Sequence, residues 1–362
     1  MANVAVSHSG SISTELSYRR AFKSFCLYAG TSPSELLRDY DGSSEKVFKR
    51  RWGAVVKQWI AQLSGEGLSR GTIQTYAAVV RSFFKYNDLP LGYVPVGRPI
   101  VTFHNRDISK AEIQTIVNMS RPRERAFFVM MMQSGLRPKT LCQLRFKHVL
   151  PDYQVRRVPC RVVVPQELAK GKFGRYFTFM GEEAVELLSN YLATRGRLQG
   201  GDYLFTCYGK SDKPAARRSL SQIFVRNLEV LKANGHIDFD QPVAGKPREL
   251  RLYCLRKYFR NNASKAGRDF VSFWMGHSMG VDEHYWSREG IEKNRQRYSE
   301  SALPFLRLEQ PTPLETEEAI ADLRAKLKEQ NLILEELQNP ALLKVLRQLA
   351  ANPDKIRQVL EQ

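Results

Sequence analysis

The sequence predicts a mainly helical protein of two domains, with one small antiparallel β-sheet in the second domain. Apolar residues recur at helical spacing over residues 11–95. A stretch rich in proline and glycine, residues 88–106, interrupts this pattern, and most of the later segments again read as helices. The exception is a run of β-branched residues just after position 160. With 362 residues the chain has room for two ordinary domains and a tail.

Residues 1–95 are predicted to form a helical N-terminal domain. Apolar side chains share one face of each of three predicted helices, over residues 11–30, 44–64 and 69–88. Basic side chains punctuate these helices at Arg19, Arg20, Lys49, Arg50, Arg51, Lys57, Arg70 and Arg81. Each alone is an ordinary surface charge, but together they suit a module laid against a polyanion.

The net charge of the chain is +19, from 56 Lys and Arg against 37 Asp and Glu. The excess is uneven, because residues 301–362 hold 8 basic and 10 acidic side chains, which leaves 48 and 27 for residues 1–300. A body this basic favours nucleic acid as the partner, since each neutralised phosphate releases counterions. An ordinary basic protein and a membrane-surface binder are the alternatives.

A linker is predicted at residues 96–106, followed by the second domain at 107–300. Its first helix opens at Ser109, where Ser109 and Glu112 have the spacing of a capping box. Helical segments, one of them over residues 138–149, then surround a predicted β-hairpin, which has a strongly basic turn in the sequence AKGKFGR.

Residues 301–362 are predicted to form a helical tail. Apolar residues alternate there at spacings of three and four, with Gln330 in one gap of the series: Ile320, Leu323, Leu327, Leu334 and Leu337. Such a pattern indicates a short heptad helix with one polar core position. A self-association element and an amphipathic helix packed on its own body remain equal alternatives.

Several other classes of protein are disfavoured. The five cysteines are scattered without CxxC spacing, which is typical of reduced thiols rather than of disulfides or a zinc site. The six histidines are dispersed and no carboxylates cluster, so no metal and no cofactor is predicted. We find no signal peptide and no long apolar span, so we expect a cytoplasmic protein, associated with the nucleoid in a prokaryote.

Arg, Lys, His and Tyr recur in four separate segments of the second domain. These segments are SGLRPKTLCQL with Arg137, the basic turn with Lys170, LYCLRKYF with Tyr253 and Arg256, and WMGHSMGVDEHYW with His277 and Tyr285. No residue is informative alone, but the order and spacing resemble the tyrosine recombinase (phage integrase) family. Residues 107–300 are similar to its catalytic domain, and residues 11–95 resemble its N-terminal DNA-binding domain.

This resemblance implies a two-domain clamp around double-stranded DNA. It implies Tyr285 as the nucleophile that forms a 3′-phosphotyrosyl intermediate, without metal or ATP. Arg137 and Arg256 are suited to bind the non-bridging phosphate oxygens, because each guanidinium offers a bidentate fork. Lys170 is a candidate general acid for the 5′-hydroxyl, and His277 a candidate phosphate ligand or base. The resemblance also implies self-association on DNA as a tetramer. It implies no membrane partner and no small-molecule substrate.

The chain departs from the family pattern at three places. Tyr253 stands where the family has histidine, and a phenol donates a hydrogen bond but accepts protons poorly near neutral pH. Thr140 occupies a position that is commonly acidic. Tyr285 follows His277 by eight residues, one fewer than usual, so Tyr298 is kept as an alternative nucleophile. The alternatives of function are a type IB topoisomerase, a hairpin-forming strand transferase and a non-catalytic DNA-binding relative.

Overall fold

The computed structural model describes residues 12–97, 106–169, 174–240, 248–277 and 290–308. The chain divides into two compact units, Met1–Arg307 and Leu308–Gln362. Beyond Leu308 the second unit lies outside the described residues, and with it the predicted heptad helix at 314–338.

The N-terminal part of the first unit is helical, as predicted. Its helices are α1 (Ile12–Ala29), α2 (Pro33–Asp41), α3 (Glu45–Gly65) and α4 (Arg70–Tyr86). Helix α2 was not predicted, although its start carries a local signal. Ser32 and Glu35 form a capping box there, with Pro33 in the first helical turn.

An aromatic core holds these four helices together. Phe25 meets Trp59 and Trp52 in edge-on contacts with ring centroids 5.3 and 6.3 Å apart. The predicted apolar face of α4 is confirmed, since Ile73, Val79, Val80, Phe83 and Phe84 are all buried. Leu16 and Val47, expected on buried faces, are instead about 60% exposed. The eight basic side chains named above are all exposed, and two of them are ion-paired, Arg19 with Glu15 and Arg51 with Asp39.

The second part of the first unit is mostly helical with two small antiparallel sheets. Its helices are α5 (Lys110–Met119), α6 (Pro122–Ser134), α7 (Pro138–Gln143), α8 (Leu150–Gln154), α9 (Glu182–Ala193), α10 (Arg217–Ala233), α11 (Cys254–Asn262), α12 (Arg268–Trp274), α13 (Ile291–Ser301) and α14 (Leu303–Leu306). The strands are β1 (Cys160–Val164), β2 (Tyr176–Met180), β3 (Thr206–Cys207) and β4 (Lys210–Pro214). The capping box predicted at the start of α5 is present.

The predicted hairpin is confirmed. Strands β1 and β2 pair antiparallel, with Cys160 opposite Met180 and Val164 opposite Tyr176. Its tip, residues 170–173, lies outside the described residues. A second hairpin, β3–β4, was not predicted, because β4 is polar and exposed and lacks the apolar alternation of a half-buried strand.

Helix α6 is the centre of this part of the molecule. Eleven of its 13 residues are buried, and it packs against α9, α11 and β2. The helix predicted to follow Pro138 as far as residue 149 ends at Gln143 instead. Leu144 accepts a hydrogen bond from the Leu204 amide, and Arg145 forms a β-bridge with Tyr203, so pairing with a distant segment replaces the helix.

The packed body continues past the predicted boundary at residue 300. In α14, Leu303 and Leu306 are buried, and the Tyr258 hydroxyl donates to the Phe305 carbonyl at 3.3 Å. None of the helices in the described ranges is long and apolar enough to cross a membrane.

Candidate active site

The loop between α6 and α7 places Arg137 at the site. Gly135 ends α6 with φ +65°, and a β-carbon there would lie 2.3 Å from the Phe259 ring. Only glycine allows α6 and α11 to approach this closely. Arg137 follows two residues later, half-buried, and its Nη1 lies 3.4 Å from the carbonyl oxygens of both Met275 and Gly276.

Helix α11 delivers Arg256 to the same place. Its side chain is 1% exposed and donates to the Gly135 carbonyl and, at 2.9 Å, to the Met275 carbonyl. Arg256 and Arg137 therefore share the Met275 carbonyl as an acceptor. Burial, with the positive charge of Arg137 as the next cause, lowers the pKa of Arg256 to about 10. The group is still charged at neutral pH.

His277 completes this cluster on the turn that follows α12. The Arg256 Nη2 lies 3.0 Å from His277 Nε2. An arginine has no acceptor, so Nε2 must be the unprotonated nitrogen of a neutral imidazole that carries its proton on Nδ1. Arg137, Arg256 and His277, which span 140 residues of sequence, are thus brought together as predicted.

Arg256 differs from the two other buried arginines of this domain. Arg123 pairs with Glu124 at 2.5 Å, and Arg295 pairs with Asp152 at 2.9 Å. Among the described residues no carboxylate lies within ion-pair distance of Arg256. A buried cation without an anion is costly, so this guanidinium is poised for an anionic ligand.

Tyr253 lies at the edge of this cluster. It directly precedes α11, and although its side chain is 46% exposed, its phenol is close enough to Arg256 to oppose the lowering of the pKa of that guanidinium. Lys170 and Tyr285 lie outside the described residues. Thr140 is buried, and its hydroxyl donates at 3.2 Å to the Leu168 carbonyl, two residues before Lys170. This bond ties α7 to the base of the hairpin.

Tyr298, the alternative nucleophile, is a core residue. It is fully buried, its hydroxyl donates to the Gln133 carbonyl at 2.7 Å, and burial raises its pKa far above the ordinary value. Its ring packs edge-on against Trp274 with centroids 5.4 Å apart. A side chain in this setting can neither reach a phosphate nor ionise readily.

Comparisons with known proteins agree with this arrangement. The model of the phage integrase family matches residues 106–280. This chain carries a phage integrase family domain. The match spans Arg137, Arg256 and His277, so the resemblance inferred from their segments is confirmed at the level of the family.

Solved structures of similar fold come from the same group. The Tn1549 transposon integrase in complex with transposon right end DNA is 16% identical, with a TM-score of 0.54; the match covers 82% of this chain and 97% of that one. A lambda integrase dimer bound to a COC′ core site is 15% identical with a TM-score of 0.54, covering 80% and 96%. At these identities the likeness establishes the fold alone. A search of curated proteins returned no match.

Proposed function

We propose that this protein is a site-specific DNA recombinase that cuts and rejoins duplex DNA through a phosphotyrosyl intermediate. The observation that carries the proposal is the convergence of Arg137 and Arg256 on one carbonyl, with Arg256 buried and lacking a carboxylate partner in the described structure. Two converging guanidiniums suit a phosphodiester whose non-bridging oxygens gain charge in the transition state. The exposed basic side chains of α1, α3 and α4 are consistent with a DNA ligand.

The proposed reaction is a transesterification. The Tyr285 oxygen attacks phosphorus, a phosphotyrosyl bond forms, and the bond to the 5′-oxygen breaks. Lys170 supplies the proton that the leaving 5′-hydroxyl needs, while Arg137 and Arg256 hold the non-bridging oxygens. Rejoining is the reverse reaction with a new 5′-hydroxyl, and it needs no ATP because the phosphotyrosyl bond conserves the energy of the broken one.

The test is covalent capture of DNA. The full chain is incubated with a pool of nicked duplexes of randomised sequence, and DNA that survives denaturing washes is recovered and sequenced. We expect the adduct to form with the wild type and with Tyr298→Phe, and to be absent with Tyr285→Phe. Each variant removes one tyrosine hydroxyl. Tyr298→Phe removes it from the core and Tyr285→Phe removes it from the proposed nucleophile, so each variant is the control for the other.

The opposite outcomes identify the alternatives. An adduct lost in Tyr298→Phe but kept in Tyr285→Phe contradicts the assignment of the nucleophile. No adduct with any duplex supports a non-catalytic DNA-binding protein. Relaxation of supercoiled DNA that lacks the captured sequence supports a topoisomerase instead.

Assembly as a tetramer on DNA is part of the same proposal. The heptads of residues 314–338 motivate the idea that the tail contacts a neighbouring protomer. Removal of residues 310–362 should lower the protein-to-DNA stoichiometry measured by light scattering on the captured duplex. An unchanged stoichiometry would remove the tail from the assembly.

A further inference from the structure

A buried tyrosine of the hairpin carries a hydroxyl without a partner. Tyr176 begins β2, its side chain is 6% exposed, and its hydroxyl makes no hydrogen bond. Two other buried atoms in the described residues are also unpaired, Nε of Arg106 and Nδ2 of Asn294, but each belongs to a side chain that is bonded through other atoms. Tyr176 has only this one polar group.

An unpaired buried hydroxyl needs an explanation. Such a group costs about 1–3 kcal/mol relative to one that is satisfied, and native proteins contain few of them. They occur where a water or a ligand completes the bond. The position of Tyr176 indicates which of the two applies.

The Tyr176 ring packs against the turn of residues 275–277, whose carbonyls accept hydrogen bonds from Arg137 and Arg256. A β-carbon on Gly276 would be 2.4 Å from its Cζ and 2.8 Å from its hydroxyl oxygen. Gly276 has φ +60°. A side chain on this residue would therefore be strained and would also collide with the phenol. The hydroxyl is in this way held beside Gly276, the residue whose carbonyl Arg137 contacts.

The electrostatic setting keeps this hydroxyl protonated. Burial raises the pKa of Tyr176, and the positive charges of Arg256 and Arg137 only partly oppose that effect. At neutral pH the group is therefore a neutral O–H donor next to two cations. The Tyr176 hydroxyl and the guanidiniums of Arg137 and Arg256 all donate hydrogen bonds, so a negatively charged acceptor suits all three.

We propose that the Tyr176 hydroxyl is a third donor to the scissile phosphate, beside Arg137 and Arg256. The inference rests on the proposed function and adds a phosphate-binding residue to it. The phenol donates to a non-bridging oxygen, which satisfies the hydroxyl only when DNA is bound. Because Tyr176 lies six residues after Lys170 in the same hairpin, this bond also ties the hairpin strand to the substrate.

Tyr176→Phe tests the idea on the full chain with inorganic phosphate as the probe. The ring that packs on Gly276 is kept and only the hydroxyl is lost. We expect an unchanged or higher melting temperature without phosphate, because no unpaired hydroxyl remains. We expect the dissociation constant for phosphate, obtained from the phosphate dependence of the melting temperature, to rise about tenfold or more.

Two control variants define the site. Tyr153→Phe removes a hydroxyl that bonds Ser189 elsewhere in the domain, and it should leave phosphate binding unchanged. Arg137→Gln should abolish it. The proposal is overturned if Tyr176→Phe binds phosphate as tightly as the wild type, or if the wild type shows no phosphate-dependent stabilisation. A lower melting temperature of Tyr176→Phe without phosphate would show that the hydroxyl stabilises the folded core instead.

A second readout uses the captured duplex with a methylphosphonate at the cleaved position. Tyr176→Phe should slow adduct formation about tenfold or more at saturating DNA. That penalty should vanish on the one diastereomer whose methyl group replaces the oxygen bound by Tyr176. Equal penalties on both diastereomers and on the natural phosphate contradict the contact. The phosphate measurement does not depend on cleavage, so its failure and the failure of the strand-cutting proposal are separable.

Discussion

The helical region 12–97 and the region 106–307 differ in whether they bury charged side chains. The core of the first is aromatic and aliphatic, and no charged or polar side chain described between residues 13 and 97 is buried. Among the described residues of the second, five charged side chains are buried, namely Arg123, Glu124, Asp152, Arg256 and Arg295. Burial of a charge is costly unless it is paired. The first region is therefore held by packing, whereas the second also depends on specific partners.

The buried charges of the second domain serve two different purposes. Four of them form two ion pairs: Arg123 pairs with its neighbour Glu124, and Arg295 pairs with Asp152 in a distant segment. Arg256 donates to two carbonyls and contacts His277, and no carboxylate of the described residues lies within ion-pair distance of it. A buried charge therefore does not mark the site by itself, whereas a buried charge without a partner of opposite sign does. Substitutions that remove the paired and the unpaired charges separate the two roles.

Arg295→Leu should destabilise the domain most. The change leaves the Asp152 carboxylate buried without its cation, which costs about 3–5 kcal/mol of unfolding free energy. Urea denaturation measures the loss. Arg297→Leu, on the exposed face of the same helix, is the matched control and should cost less than about 1 kcal/mol. Equal losses for the two variants would contradict a structural role for the Arg295 pair.

Arg256→Leu should affect chemistry more than folding. We expect adduct formation to fall about 10²–10³-fold, as for the loss of one preorganised donor to a developing oxyanion. The loss of unfolding free energy should be smaller than for Arg295→Leu, since no buried carboxylate is left unpaired. Arg260→Leu, exposed on the same helix, is the control for cleavage at saturating DNA. A loss of unfolding free energy as large as that of Arg295→Leu would show that Arg256 has a structural role.

His148→Asn should make the second domain less sensitive to acid. Burial, followed by the charge of Lys147, lowers the pKa of His148 from its ordinary value near 6.5 to about 4. The folded protein thus binds the proton less readily than the unfolded chain. Stability is full above pH 6.5 and falls as the pH drops towards 4, by roughly 3 kcal/mol from this group. Asparagine keeps an acceptor for the Arg145 amide, which His148 Nδ1 bonds at 2.9 Å.

The measurement is the unfolding free energy at pH 7 and near pH 4.5. The difference between the two pH values should shrink in His148→Asn and stay unchanged in His236→Asn, which alters an exposed histidine. An undiminished difference in His148→Asn would mean that other groups cause the acid sensitivity.

The two capping boxes should behave alike in both regions. The Ser32 hydroxyl accepts from the Glu35 amide at 3.3 Å, and the Ser109 hydroxyl accepts from the Glu112 amide at 3.2 Å. Ser32→Ala and Ser109→Ala should each cost about 1 kcal/mol, measured by thermal unfolding. A loss in one region several times that in the other would show that the cap depends on tertiary surroundings.

The features that depend on neighbouring residues could be predicted from the sequence. The start of α5, the apolar face of α4 and the β1–β2 hairpin follow from capping, helical periodicity and β-branched runs. Helix α2 could also have been predicted, because the Ser32 and Glu35 of its capping box have the expected spacing in the sequence. The segments of Arg137, Arg256 and His277 were found through their order and spacing.

The partner of each polar group, by contrast, depends on long-range folding of the chain. It ended the helix after Pro138 early, where Leu144 pairs with a segment 60 residues away. It made Tyr298 a core residue and left the Tyr176 hydroxyl unpaired beside Gly276. These two tyrosines carry the same side chain, and no local pattern separates them. Burial and hydrogen bonding are set by distant parts of the chain, so the roles of such residues emerge only when the chain is folded.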